Sequence, residues 1–316
     1  MLLCPQDGAA QGVNEIRDAL RDAAEDLDLG QTIQGLVGFT AFPGVSAANF
    51  TVDTDLEDAS DSDVTKVVLP LARDFAEVGV LDATLYGELT LGYVRIDQEL
   101  DNFEAGSPLE SSVDSRIEAF SGIAGLGLTI PLGYGTAIRP IALAGYSRTE
   151  QNSDFSGPGA ALLDEISDGI LFNFDVNQAL FGGAVALVNE TRLPRDLGFT
   201  GEIRYNHIVS EGFDASDRIY ETRTDFGVMT SLAELDGPTG FSVFGFDVRW
   251  LGSLAGSYFP GTSSDALGFD YFIEAGGGLA FLDPTIVRGV EGLQLRGSAV
   301  LGNGVTGWSA SLALQF

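Results

Sequence analysis

From about residue 46 to Phe316 the chain alternates apolar and polar side chains with a period of two. Successive side chains of a β-strand point to opposite faces, so this pattern specifies strands with one apolar and one polar face. The last strand shows it most clearly: Trp308, Ala310, Leu312, Leu314 and Phe316 share one face, and Ser309, Ser311, Ala313 and Gln315 share the other. Leu293, Leu295, Gly297, Ala299 and Leu301 repeat the pattern before Gly302-Asn303-Gly304, a tight-turn composition, so the two segments read as a hairpin. No run of roughly 18 or more apolar residues occurs, which excludes a transmembrane helix. A transmembrane β-barrel stays open, because each of its strands needs only about 9–11 alternating residues.

Twelve segments carry the alternation: 46–54, 64–73, 82–97, 116–131, 136–150, 180–191, 197–210, 218–233, 240–254, 267–282, 290–301 and 305–316. Pro70 and Arg139-Pro140 interrupt two of them. Several place charge where a sandwich needs a dry core. Leu197, Phe199, Ile203 and Tyr205 oppose Glu202, Arg204 and Asn206; Tyr220, Phe226, Val228 and Leu232 oppose Glu221, Arg223 and Asp225. Phe244, Phe246, Val248, Trp250 and Leu254 oppose Asp247 and Arg249; Leu267, Phe269, Tyr271 and Ile273 oppose Asp270, Phe272 and Glu274. Links after odd-numbered strands are mostly long and acidic, with 302–304 a short exception, and those after even-numbered strands are short. That sorting fits a membrane barrel with long loops on one rim and tight turns on the other. A sandwich has no reason to sort its links so, and no propeller repeat of roughly 40–50 residues is present.

Charge and hydropathy then fit together. Lys and Arg total 16 against 46 Asp and Glu, a net charge of −30, which rules out a nucleic-acid partner bound through a basic footprint. Hydrophobic residues make up 45% of the chain, so it is not disordered as a whole. On a barrel the apolar face meets lipid, and the charged face lines a lumen. The expected fold is an all-β, closed antiparallel transmembrane β-barrel of about twelve strands over 46–316, preceded by an N-terminal segment, 1–45. Tyr93, Tyr205, Trp250 and Phe316 are expected in interfacial girdles. Glu202, Arg204, Glu221, Arg223, Asp225, Asp247, Arg249, Asp270, Glu274 and Arg296, with Glu88 and Lys66, are expected to form a lumenal charge network across neighbouring strands. The single Cys allows no intramolecular disulfide, and with one His no His/Cys metal cluster is encoded, so neither cofactor nor metal is expected.

One amphipathic helix precedes the strands. Val13, Ile16, Leu20 and Leu27 form a stripe over Val13–Asp28, and Gly30 reads as its stop. Met1-Leu2-Leu3-Cys4-Pro5 lacks the basic and apolar regions of a complete secretory signal. The acidic runs, Asp53, Asp55, Glu57, Asp58, Asp61 and Asp63, and Glu99, Asp101, Glu104, Glu110 and Asp114, read as solvated loop charge, or as sites bridged by divalent cations to anionic lipopolysaccharide.

The terminal Trp308, Leu312, Leu314 and Phe316 resemble the signal that outer-membrane barrels present to the barrel-assembly machinery. With the helix at 13–28 and about twelve strands after it, the chain resembles the autotransporter translocator domain. That resemblance implies the Gram-negative outer membrane, lipid and lipopolysaccharide as neighbours, and the helix inside the pore as a plug. It departs from the family in having only a dozen residues before the helix, where a passenger would be. The nearest group is therefore the solitary outer-membrane autotransporter-like β-domain, with a structural or translocation role. A cation-preferring small-solute channel, with the helix outside, is the alternative.

Enzyme readings fail at particular residues. The outer-membrane phospholipase family, also of twelve strands, uses a His and a Ser two residues apart on the lipid-facing side. Here His207 is followed at that spacing by Val209, and Ser210 has the opposite parity. Self-cleavage of the autotransporter type needs an Asn between helix and barrel, and 29–44 contains none. Gly276-Gly277-Gly278 lies within a strand and makes no phosphate loop.

Overall fold

The computed structural model describes residues 7–41, 48–52, 62–79, 81–103, 111–243, 245–261, 269–287 and 290–315. Two helices come first, α1 (Asp7–Asp26) and α2 (Leu29–Ala41). The strands follow as β1 (Ala48–Val52), β2 (Ser62–Glu77), β3 (Thr84–Phe103), β4 (Ser111–Gly133), β5 (Thr136–Ser156), β6 (Asp175–Leu193), β7 (Leu197–Phe213), β8 (Arg223–Val243), β9 (Phe246–Tyr258), β10 (Tyr271–Val287), β11 (Val290–Gly302) and β12 (Val305–Gln315). A short helix α3 (Ala160–Ser167) lies in the link between β5 and β6, and a 3-10 turn (Arg218–Tyr220) in the link between β7 and β8.

From β2 to β12 every strand pairs antiparallel with its chain neighbour, giving eleven long strands in one sheet. The five-residue β1 then hydrogen-bonds to β12 on one side and β2 on the other, so the strand order returns on itself. All links after even-numbered strands gather at one rim, where tight turns depend on positive φ: Tyr134 at 53° beside Gly135 at 75°, and Arg195 and Asp196 at 67° and 57°. The described links after odd-numbered strands, 157–174, 214–222 and 303–304, gather at the other, the long-link rim.

On the outer surface the middle of the wall is apolar. Leu91, Leu126, Phe181, Val185, Ile203, Leu254, Ile273, Leu295 and Trp308 all point outward and are exposed. Tyrosines and phenylalanines bound this band. Towards the long-link rim Tyr93 packs on Phe120, with ring centres 4.7 Å apart, and Tyr146 approaches Phe213 at 6.4 Å. Towards the short-turn rim Phe246 meets Phe281 edge-on at 6.5 Å.

Several strands run on past the upper band, and there the pattern inverts. Arg95, Asp97, Arg116, Arg148 and Glu150 face outward and pair with one another, Asp97 accepting from Arg95 at 2.7 Å and from Arg116 at 2.9 Å. On the inner side of the same stretch Val64, Val94, Ala119, Phe226, Val228 and Val305 are buried in one apolar cluster. This corrects the reading of β8: Arg223 and Asp225 are exposed on the outer surface, and Phe226, Val228 and, by the same parity, Leu232 face the lumen. The period of two is the same on either side of the band, so alternation alone carries no mark of where the surroundings change from lipid to water. Four further residues expected in strands lie in links instead: Tyr220 and Glu221 between β7 and β8, and Phe269 and Asp270 between β9 and β10.

The helical segment also differs. The helix expected at 13–28 runs from Asp7 to Asp26, and a second helix, α2, occupies what reads as a linker. Asp28 takes a left-handed φ of 51°, which breaks one helix and starts the next. Gly30 is therefore inside α2, not a stop. Cys4, the acidic runs at 53–61 and 104–110, and Phe316 lie outside the described residues.

Candidate functional site

The lumen gathers buried charge, and α2 lies inside it. It packs against β2, β3, β4, β5, β7 and β8, a set of partners that only a segment enclosed by the wall can touch together. Two glycines let it seat. A Cβ on Gly30 would lie 2.1 Å from the Ile219 carbonyl oxygen, and one on Gly212 of β7 would lie 2.1 Å from that of Tyr220 and 3.0 Å from Gln34 Nε2. Gln34, fully buried, donates through Nε2 to the Thr222 carbonyl at 2.7 Å and the Tyr220 carbonyl at 3.2 Å. Its side chain thus ties α2 to the link between β7 and β8.

Above α2, α1 lies on the long-link rim. Arg17 donates to the carbonyls of Glu165 and Asp168, both at 2.8 Å, and so caps the C-terminal end of α3, where a cation also favours the helix dipole. Arg21 donates to Asp217 at 2.7 Å, and that hydrogen bond raises the Arg21 pKa further above its ordinary value. A small apolar core joins these parts: Ala24 and Ile33 from the helices with Ile170, Phe174, Val176, Ile219 and Tyr220 from the rim. Tyr220 stacks on Phe174 at 4.3 Å and donates its hydroxyl to the Ile170 carbonyl; burial pushes its phenol pKa up. Of the stripe expected to plug the pore, Leu20 packs against this core, Val13 is half-buried, and Ile16 and Leu27 are exposed. The element in the lumen is α2, and α1 is a lid beside it.

Below α2, towards the short-turn rim, the lumen is charged. Arg204 on β7 reaches Glu88 on β3 with two hydrogen bonds, 2.6 and 2.7 Å. Tyr86 donates to the same carboxylate at 2.8 Å, Arg204 Nε donates to Asn206 at 2.7 Å, and Arg139 sits 4.7 Å over the Tyr86 ring. Arg296 donates to Glu234, and Arg249 donates to Asp236 and, at 2.8 Å, to Asp196 in the turn between β6 and β7. Glu202 and Asp247 share the inward parity of these arginines on β7 and β9. Glu274 and Lys66 face the lumen nearer the long-link rim, where Glu274 accepts from Ser309 at 2.7 Å.

The structure therefore brings Glu202, Arg204, Asp247, Arg249, Glu274 and Arg296 to the lumen with Glu88 and Lys66, and leaves Glu221, Arg223, Asp225 and Asp270 outside it. Sequence reasoning missed Arg139, Glu234, Asp236 and Asp196. Glu234 and Asp236 continue the inward parity of β8 past the point where the alternation weakens, while Asp196 sits in a turn and carries no periodicity. Leu312 and Leu314 pair with Leu295 and Leu293 in the β11–β12 ladder.

Chemically this is a charged lumen that holds an uncharged helix. His207 Nε2 lies 3.9 Å from Asp225 on the outer surface, and Ser210 is fully buried on the lumenal face of the same strand, out of its reach. Among the described residues no three His, Cys, Asp or Glu side chains converge as a metal site.

Three solved structures are similar to this chain. The β-domain of the Bordetella autotransporter BrkA is 13% identical, covering 84% of this chain and 94% of its own, with a TM-score of 0.49. The translocator domain of NalP from Neisseria meningitidis is 12% identical, covering 92% and 95%, with a TM-score of 0.49. The transport unit of AIDA-I from Escherichia coli is 9% identical, covering 85% and 88%, again at 0.49. No protein-family model and no curated protein matches the chain. Likenesses of this size assign neither a family nor an activity.

Proposed function

We propose that the chain is an outer-membrane β-barrel of the autotransporter-translocator kind, spanning the membrane through β2–β12 with α2 as a plug, in a structural or translocation role. The observation that carries this is the outward apolar band. An exposed apolar surface running round a whole barrel is untenable in water, where patches beyond a few hundred Å² mark membrane or partner contact. On β10 its bounding aromatics, Tyr271 and Phe281, stand about ten residues apart, within the roughly 9–11 that a tilted strand needs to cross the hydrocarbon core. The charged outer residues beyond the upper band then lie in the headgroup region and in water, and the long-link rim faces the cell exterior. Lipid and lipopolysaccharide are its neighbours, and the C-terminal strand ending in Phe316 is what the assembly machinery would recognise.

A plugged barrel and an open one differ in conductance. The intact protein in planar bilayers should show no steady current, and a variant lacking residues 7–41 should conduct. Steady cation-selective current from the intact protein would favour the second reading, a small-solute channel. That reading has its own support: acids outnumber arginines in the lower lumen. The wall strands behind α2 also present the buried side chains Ser121, Thr149, Gln178 and Ser210, whose side-chain polar atoms find no hydrogen-bond partner among the described residues. Such a wall suits water as well as a helix. Loss of Phe316 should lower assembly into the outer membrane; unchanged assembly would remove the proposed recognition role.

A further inference from the structure

A continuous polar patch lines the lumen behind α2. Ser121 on β4 stands opposite Ser147 on β5, Ser147 opposite Gln178 on β6, and Gln178 opposite Gly212 on β7. Thr149 and Ser210 lie two residues along β5 and β7 from this row, on the same face. Ser147 donates to the Phe120 carbonyl at 2.8 Å. The rest are matched by nothing: Ser121 Oγ, Thr149 Oγ1, Ser210 Oγ and both amide atoms of Gln178 have no hydrogen-bond partner among the described residues. Thr149, Gln178 and Ser210 are 0% exposed and Ser121 7%, so these atoms are also shut off from water. Helix α2 packs against β4, β5 and β7 at this side of the lumen. Its Gln34 reaches the edge of the patch beside Gly212, but Nε2 is committed to the Tyr220 and Thr222 carbonyls and Oε1 is itself unmatched. The helix thus covers the patch without bonding to it.

A buried polar atom with no partner is destabilising, because its hydration is lost and nothing replaces it. The same atoms regain water when the helix leaves. We propose that the patch keeps α2 loosely seated: its five unmatched atoms favour the released helix, while Gln34 and the apolar core at the rim hold the helix in place. Resting on the plug reading above, this names what the lumen takes up in place of α2. It is water, bound by neutral hydroxyl and amide groups that carry no charge to attract an ion. Apolar side chains of the same shape reverse the preference, since they lose no hydrogen bond under the helix and are exposed when it leaves.

Amide exchange of the full chain folded in detergent tests the seat by comparing α2 with the β6–β7 ladder. In the wild type α2 should exchange faster than the ladder; equal rates overturn the proposal. In the double variant Thr149→Val, Gln178→Met the ratio of α2 to ladder exchange should fall about tenfold, the order by which one unmatched polar atom shifts an equilibrium. Ser210→Ala removes a single oxygen and should move the ratio the same way, which decides the matter should the double variant not fold. An unchanged ratio overturns the loose seat. A raised ratio overturns it too, because it shows that water bridges these atoms to the seated helix. The plug reading fails separately. If deleting residues 7–41 leaves the bilayer current unchanged, α2 is no plug, while its exchange still reports how firmly it sits.

Discussion

Arg204 on β7 and Glu88 on β3 meet across the lumen as a two-pronged pair, each side chain 3% exposed. Strands that are not neighbours in the wall are thus joined through its interior, below the helix.

Replacing one partner strands the other. Glu88→Ala leaves a buried guanidinium without its carboxylate and should cost about 3–5 kcal/mol. Arg204→Met with Glu88→Leu should recover most of that, since an apolar pair avoids the desolvation of both charges. Unfolding in urea, followed by loss of the compact form on unheated gels, measures both.

The outward band makes a prediction that separates lipid from water. Leu254 is 56% exposed and lies midway between Trp250 and Tyr258 on β9. Leu254→Arg should cost about 2–4 kcal/mol if this surface faces the bilayer midplane. On a water-facing surface the same change falls within about 0.5 kcal/mol. Reversible unfolding from lipid vesicles reads the difference.

The plug can be unseated at its closest approach. Gly30→Val places a side chain where the Ile219 carbonyl already lies, so α2 cannot sit as it does. Protease cleavage between α1 and α2 should speed up several-fold while the barrel keeps its compact gel mobility. Single-channel recordings should show openings that the wild type lacks. An unchanged cleavage rate would mean that Gly30 is not a seat for the helix.

One turn responds to acid. The Arg249 guanidinium holds the Asp196 carboxyl below the usual carboxylate range, through a hydrogen bond first and charge attraction second. A depressed folded pKa contributes stability in full above the unfolded value, and the contribution vanishes as pH falls through the folded one. The loss therefore comes below about pH 4, the ordinary range for Asp. Asp196→Asn should flatten that part of the stability profile without disturbing the turn, because Asn tolerates the left-handed φ of 57° found there. Thermal scans at pH 3 and pH 6 make the comparison.

Alternation carried the wall, since Leu295 and Trp308 point outward and Arg204 and Arg296 inward as their parity demands. It misplaced Arg223 and Phe226 because apolar-in with charge-out and apolar-out with charge-in share one period, and only the upper aromatic band divides them. Helix α2 was hidden for another reason. Its residues include three glycines and no charge, Leu29-Gly30-Gln31-Thr32-Ile33-Gln34-Gly35-Leu36-Val37-Gly38-Phe39-Thr40-Ala41, so no polar face marks a helix. A segment enclosed by the wall needs no solvent face, and Gly30, which weakens its propensity, is what lets it approach the Ile219 backbone. The lumenal ion pairs join strands far apart in the chain, and their partners follow from closure of the wall rather than from any spacing.

Closure of the wall through β1 has a topological consequence. The chain passes from α1 on the rim to α2 in the lumen and then into the wall, so the sheet encircles the segment that precedes it like an eyelet around a lace. Folded chains rarely thread a segment through a finished loop, and the Arg204–Glu88 bar lies across the lumen on the short-turn side. The lace and its eyelet thus fit one another only if the wall closes around α2 rather than before it.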